Sequence, residues 1–569
     1  MHENKVLAAY DVRGIQSYIF KTPKIKDAIG ASDMIENMIE NALQYAAEKL
    51  VTQGVLEKNA YQLTWCDSNH YFPYEENSGQ IQVLFIGGGN AYVLFANAEL
   101  CKKVTCLMSK YVLDKTYSLQ LAVAKVEVTG NYAADYQNLH KNLITVKANS
   151  KPSRPVAAMP FMQVETNTGY PLTDKQVSSV YVSSETYEKR KQEEIVTKHI
   201  SKQDKILDNY KQEKSMLAVV HLDGNNMGLR IRALVEGKTD YTEAINQMRK
   251  LSFHINTSYK KVFEEMQNKF NVDSNLVIRK MIVAGDDITY VCAAEAALAS
   301  VEYFCKHITK YTMLGSCEAL PTEAEKQAAV TKYGFSVCAG IAYMKSHFPF
   351  WVAYETAEEC CGSAKERAKQ PVHMDGERVG NFVDFQVCKN IHASDIEAVR
   401  EKEYRTALGE NLCLRPYFIE TDMDYGFAEN RKKLYTFSNL KTWIAYFSDE
   451  TKIPRNFAKQ LRNTYSEGEN KVQLLQNFLE SRNHKMPQLP KETGGRNQND
   501  LNAECKATCV YQECSKNLTE LESRITNVSF ILENEEKVAL WYDALELMDL
   551  YETLEWVDLA ENDGGTYEG

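Results

Sequence analysis

Apolar positions run through this chain in two alternating rhythms. Short near-continuous runs, of the length and composition of buried strands, are separated by longer stretches with a helical period. VLAAY at 6–10 predicts a first strand ending at Asp11. A helical stretch follows at about 26–50, then IQVLFI at 81–86 and AYVLF at 91–95. Gly87, Gly88, Gly89 and Asn90 lie between the last two runs and predict a tight hairpin turn. A helix at about 98–113 and a strand at 119–128 complete the order β-α-β-β-α-β. The same order then recurs. LAVVHL at 217–222 ends at Asp223; a long helix spans about 241–268; VIRKMIV at 277–283 and ITYVC at 288–292 flank Ala284-Gly-Asp-Asp287. A helix at about 296–311 and a strand at 335–343 close the second unit. The duplication predicts an α+β fold built on two ferredoxin-like units, each a four-stranded antiparallel sheet backed by helices.

Outside the repeats the pattern is less regular. Four regions are expected: a first unit at 1–130, a partly helical connector at 131–215, a second unit at 216–392 and a helical region at 393–569. The connector's later part reads as a charged helix over 186–214, with Lys189, Arg190 and Lys191 on a solvated face. Residues 313–332 read as an insertion. In the last region Trp443, Phe447, Leu474, Leu475, Phe478 and Leu479 are the expected core, 486–500 a loop, and 518–559 further helix, with no catalytic residues anticipated.

Length and composition narrow the class. At ~150 residues per domain, 569 residues suit about four units. The net charge of −11 disfavours a basic wrapper of nucleic acid, though not a local basic groove such as one along Lys141 to Arg154. No apolar stretch approaches the ~18 residues of a membrane span, and no secretory signal pattern opens the chain, so a cytosolic protein without membrane partners is expected. Fourteen cysteines are too sparse for a disulfide scaffold and should be reduced. Cys505, Cys509 and Cys514 contain no CxxC pair and do not make a zinc site.

Candidate chemistry concentrates in the second unit. Asp223 ends one strand, and Asp286 and Asp287 sit in the turn of the next hairpin; in this topology those strands are neighbours. Three carboxylates at one sheet edge repel, and a hard divalent cation relieves the repulsion. Mg²⁺ or Mn²⁺ is the expected cofactor, as in palm-type nucleotidyl transfer.

The motifs resemble those of a known family. DVRGIQ at 11–16, IGAS at 29–32 and Gly87 to Asn90 in the first unit, with DGNNMG at 223–228, AGDD at 284–287, AGI at 339–341 and AEECCGSAK at 357–365 in the second, look like the large polymerase/cyclase subunit of type III CRISPR effector complexes, relatives of GGDEF nucleotide cyclases. The resemblance implies two palm domains, with Asp223, Asp286 and Asp287 as catalytic metal ligands and the Gly224 carbonyl as a backbone ligand. It implies that Lys365, with Lys369 one turn on, contacts nucleotide phosphate. It implies that the first palm is non-catalytic and that its turn, Gly87 to Asn90, lies near a second nucleotide. Three departures stand out. The turn is Ala284-Gly285 rather than Gly-Gly, so residue 284 must adopt an ordinary conformation. Asn225 replaces a frequent second Asp. Neither the family's His-Asp nuclease element nor its Cys-rich zinc element is expected here.

Together these features point to a nucleotidyltransferase making a cyclic (oligo)nucleotide messenger from ATP or other NTPs, with a face-to-face pair of palms holding donor and acceptor. Expected partners are nucleoside triphosphates, with guide or target RNA and other CRISPR effector subunits, or further copies of a stand-alone chain. The alternative is an RNA-binding scaffold with weak or no cyclase activity. His221 is expected to pack beside the site and His347 to serve a loop.

Overall fold

A computed structural model describes residues 5–487 and 529–550, apart from 21, 23, 77, 88, 150–157, 167, 200–215, 272–277, 318–319, 376–377, 391–394, 425–426, 428–433 and 534–535. Gly88, the cysteines at 505, 509 and 514, most of the 486–500 segment, and the ends of the 518–559 segment therefore lie outside the described residues.

The first unit contains strands β1 (Val6–Arg13), β2 (Ile81–Gly87), β3 (Asn90–Phe95) and β4 (Gln120–Glu127). Its helices are α1 (Ile25–Glu36), α2 (Met38–Thr52) and α3 (Ala98–Thr116). The sheet runs β2-β3-β1-β4, all antiparallel, with a two-residue strand, Tyr61–Gln62, on its outer edge. The predicted 26–50 helix is two helices, broken at Asn37. Helix α4 (Tyr132–Asn149), expected in the connector, packs on β4 and β1 and belongs to this unit's helical layer.

Helix α5 (Ser184–His199) departs from its expected solvated face. It lies across α1, and the Lys189 side chain is 2% exposed, donating to the Tyr18 carbonyl at 2.7 Å and to Glu185 at 2.7 Å. Arg190 pairs with Asp27, and Gln192 donates to Asp33. Glycine permits the crossing: a Cβ on Gly30 would stand 1.8 Å from the Lys189 carbonyl oxygen. Lys189 and Arg190 thus face the first palm, while Lys191 stays exposed as expected.

The second unit contains β5 (Met216–Gly224), α6 (Met227–Val235), α7 (Tyr241–Phe270), β6 (Ile278–Ala284), β7 (Asp287–Ala293), α8 (Ala297–Ile308), β8 (Val337–Lys345) and α9 (Phe350–Ala368). Its antiparallel core, β8-β5-β7-β6, repeats the order of the first sheet. Beyond β8 the sheet gains a parallel strand, β9 (Phe382–Val387), and a short strand, β10 (Tyr417–Phe418). The inserted region contains a helix, Glu323–Tyr333.

Burial on both faces explains why β5 reads as a continuous apolar run. Leu217 and Val219 join the core of the first unit, while Ala218, Val220 and Leu222 join a second core behind them. The second sheet is thus shared between two hydrophobic layers. The second core also takes in Tyr404, Trp443, Phe447, Leu479 and Trp541, so the last region is continuous with the second palm rather than a body apart. Of its expected core, Leu474 and Phe478 are exposed and Leu475 is half-buried. Phe530–Glu533 and Glu536–Ala539, expected to be helical, pair as antiparallel strands. A buried ionic knot fastens this end to the sheet. Arg415 donates to Asp543 and Glu546 at 3.1 Å each, and Arg400 grips Asp384 of β9.

Candidate active site

Strand register brings the acids together. Asp287 opens β7 directly opposite Asp223 near the end of β5. Asp286 sits in the turn before it, and its backbone carbonyl accepts from the Gly224 N–H at 3.2 Å. The turn reverses through Gly285, whose φ is +67°, so Ala284 keeps an ordinary strand conformation as the departure from Gly-Gly requires.

Lys365, in the last turn of α9, reaches this edge. Its ammonium pairs with Asp223 and donates to the Gly224 carbonyl at 3.3 Å. Burial opposes the ammonium, but the Asp223 charge holds its pKa above the usual lysine value. Asp286 is pushed up to about 6 by burial and then by the Asp223 charge; Asp287 is pushed up to about 7 by burial, Asp223 and Asp286. The Asp287 Oδ1 is buried without a hydrogen-bond partner among the described residues. His221 packs beside it: Nδ1 lies 3.0 Å from Thr289 Oγ1 and 3.6 Å from Asp287 Oδ1, and burial pushes its pKa down to about 4. His347 lies exposed in the turn before α9.

Two candidates fall elsewhere. Lys369 is exposed at the C-cap of α9, where its backbone N–H caps the helix, and it makes no hydrogen bond or ion pair with the acids among the described residues. Asn225 turns away from the edge, donating to Ser336 Oγ and the Gly380 carbonyl, so its role is to tie β5 to neighbouring loops.

The first palm carries a matching constellation with altered charge. Asp11 of β1 stands opposite Asn90 of β3 in the register that Asp223 and Asp287 occupy in the second palm. Lys147 of α4 pairs with Asp11, as Lys365 pairs with Asp223. Asn90 stands where the second palm has Asp287 and Gly89 where it has Asp286, so this half keeps a neutral Asp–Lys pair and no surplus negative charge to hold a cation. Gly87 and Asn90 close the hairpin, and Gly89 takes a φ of +75°.

The two turns face each other across a seam. A cavity of about 260 Å³ on one side is lined by Tyr92, Tyr136, His140, Arg232 and Asp286; one of about 210 Å³ on the other is lined by Ile35, Trp65 and Ile86. Gly87, Asn256 and Gly285 border both. Sequence reading missed Arg232, His140 and Asn256, which sit on helices without any local motif.

Among the described residues no three His, Cys, Asp or Glu side chains already form a closed metal-binding group. The donor set nevertheless suits a hard divalent cation that keeps waters and takes phosphate oxygens: two facing carboxylates, one with an orphaned buried oxygen, and a backbone carbonyl. The Lys365 ammonium rests on two of these groups, showing that the edge accommodates positive charge.

No helix among the described residues is long and apolar enough to cross a membrane. No protein-family model matches the chain, and no curated protein sequence matches it. Solved structures similar to it include the Csm1-Csm4 cassette in complex with cA4, at 12% identity over 96% of this chain and 70% of that one, with a TM-score of 0.47. They also include the Csm1-Csm4 subcomplex of the type III-A CRISPR-Csm interference complex, at 12% identity over 96% and 70%, with a TM-score of 0.46. Csm1 from T. onnurineus is a third, at 11% identity over 96% and 69%, with a TM-score of 0.48. The structural neighbours of this chain are thus Csm1 proteins, including those of type III-A CRISPR-Csm complexes.

Proposed function

We propose that this chain is a metal-dependent nucleotidyltransferase that builds a cyclic oligonucleotide from ATP or another NTP, as a subunit of a CRISPR-type defence complex. The observation that carries the reading is the register pair Asp223–Asp287 with Asp286 in the adjoining turn and Lys365 upon it. Structures of similar proteins in complex with cA4 and with AMPPNP are in keeping with it.

In this reading Asp223, Asp287 and the Gly224 carbonyl hold Mg²⁺ or Mn²⁺, with Asp286 beside them. Such a cation, when bound, acidifies a hydroxyl and offsets phosphate charge. Lys365 moves its ammonium from Asp223 to the triphosphate. The acceptor nucleotide sits in the 260 Å³ cavity, walled by the stacked rings of Phe85, Tyr92 and Tyr136, where Arg232 offers a charged donor fork. Its 3′-hydroxyl gives up its proton to solvent, the oxygen forms a bond to the α-phosphorus, the α–β anhydride breaks, and pyrophosphate leaves. The first palm contributes Gly87, whose missing side chain leaves the cavity open beside Ser252.

The test is incubation of the full chain with Mn²⁺ and each NTP, with and without RNA and partner subunits. Product and pyrophosphate are expected from the native chain. The Asp286→Ala/Asp287→Ala variant is expected to lose both product and calorimetric Mn²⁺ binding. A native chain inert in every mixture would favour the RNA-binding scaffold instead.

A further inference from the structure

Tyr259 lies on α7, on the apolar stripe with Ile255, Val262 and Met266 that packs into the second core. Its ring meets Phe335 edge-on, centroids 5.4 Å apart, and leans on Phe304 at 6.0 Å. The side chain is fully buried, yet its hydroxyl has no hydrogen-bond partner among the described residues. An unpaired buried hydroxyl is costly, and phenylalanine would fill the same space without that cost. The hydroxyl therefore needs a use.

Its surroundings supply one. A Cβ built on Gly224 would stand 2.9 Å from the Tyr259 hydroxyl and 2.8 Å from both Cβ and Oδ2 of Asp286. Phenol, glycine backbone and carboxylate converge on one point, with room there for nothing larger than hydrogen. The ionisable groups acting on Tyr259 are Asp286, Asp223, Arg230 and Cys305.

We infer that Tyr259 is a positioning residue for Asp286: its O–H donates to the Asp286 carboxylate beside a bound divalent cation, and so fixes the carboxylate's rotation. The inference rests on the reading of the three acids as a cation site. It also explains why residue 224 is glycine, since any side chain would part the phenol from the carboxylate.

The experiment compares the full-length native chain with Tyr259→Phe, by Mn²⁺ titration calorimetry without nucleotide and by thermal unfolding in EDTA and in Mn²⁺. Phenylalanine preserves the packing and removes only the donor. In EDTA the variant is expected to melt at the native temperature or higher, because an unpaired group has gone. In Mn²⁺ its affinity is expected to be roughly tenfold weaker, the scale of one hydrogen bond to a charged group, and its metal-induced rise in Tm smaller. Native Mn²⁺ affinity and a native rise in Tm would overturn the inference. A Tm lowered equally with and without metal would also overturn it, since that marks packing alone. If instead the native chain bound no Mn²⁺, or bound it equally after Asp286→Ala/Asp287→Ala, the cation site itself would fall and this inference with it.

Discussion

At the scale of single residues, the site is a balance of charges that the Lys365 ammonium closes. Three carboxylates face one ammonium, and burial, then the surplus negative charge, raises the pKa of Asp286 and Asp287. Lys365 stands on the Asp223 carboxylate and the Gly224 carbonyl, so a cation must compete with it. Replacing Lys365 by Met is expected to raise Mn²⁺ affinity about fivefold in the absence of nucleotide, the worth of a ~1 kcal/mol partly exposed ion pair. The same variant should weaken ATP binding. Calorimetry with metal alone and then with ATP reads both; unchanged metal affinity would show that the pair is no barrier. The acids themselves were legible because each sits at the end or turn of an apolar run. Tyr259 was not: helical period marks it as core, and spacing says nothing about where a hydroxyl points.

At the scale of elements, strand order was legible from the repeat, and helix docking was not. The run of charge at 189–191 has the composition of a wet helix face, and only tertiary partners reverse that reading for Lys189 and Arg190. Gly30 is the feature that lets α5 sit down on α1. Gly30→Ala is expected to destabilise the chain by ~1–3 kcal/mol through overpacking, despite alanine's better helix propensity. Denaturant unfolding at constant m-value checks this; a stabilised variant would mean that α5 does not rest there in solution. Strand β9 was missed for a different reason. Its apolar residues are interrupted by Asp384 and Gln386, and its pairing with β8 is parallel and separated from it by a whole helix, which no local pattern reveals.

At the scale of the whole molecule, the two palms are joined by more than apolar contact. Phe20 stacks on Tyr354 at 3.7 Å, and Gln16 reaches Glu358. The principal fastening is Arg249 of α7, fully buried, which donates to the carbonyls of Phe72, Val83 and Leu84 at 2.7, 2.8 and 2.6 Å. An arginine in a helix reads as surface, so the sequence conceals this role. Arg249→Met is expected to cost at least ~3 kcal/mol, because three buried carbonyls lose their donor at once. Urea unfolding measures the loss, and a loss below ~1 kcal/mol would show that water replaces the guanidinium easily. The clamp grips β2 where its pairing with β3 slips register, just before the glycine turn that borders both cavities. The guanidinium thus works as a rivet at the neck of the hairpin, tying the spacing of the two turns to the long helix of the second palm.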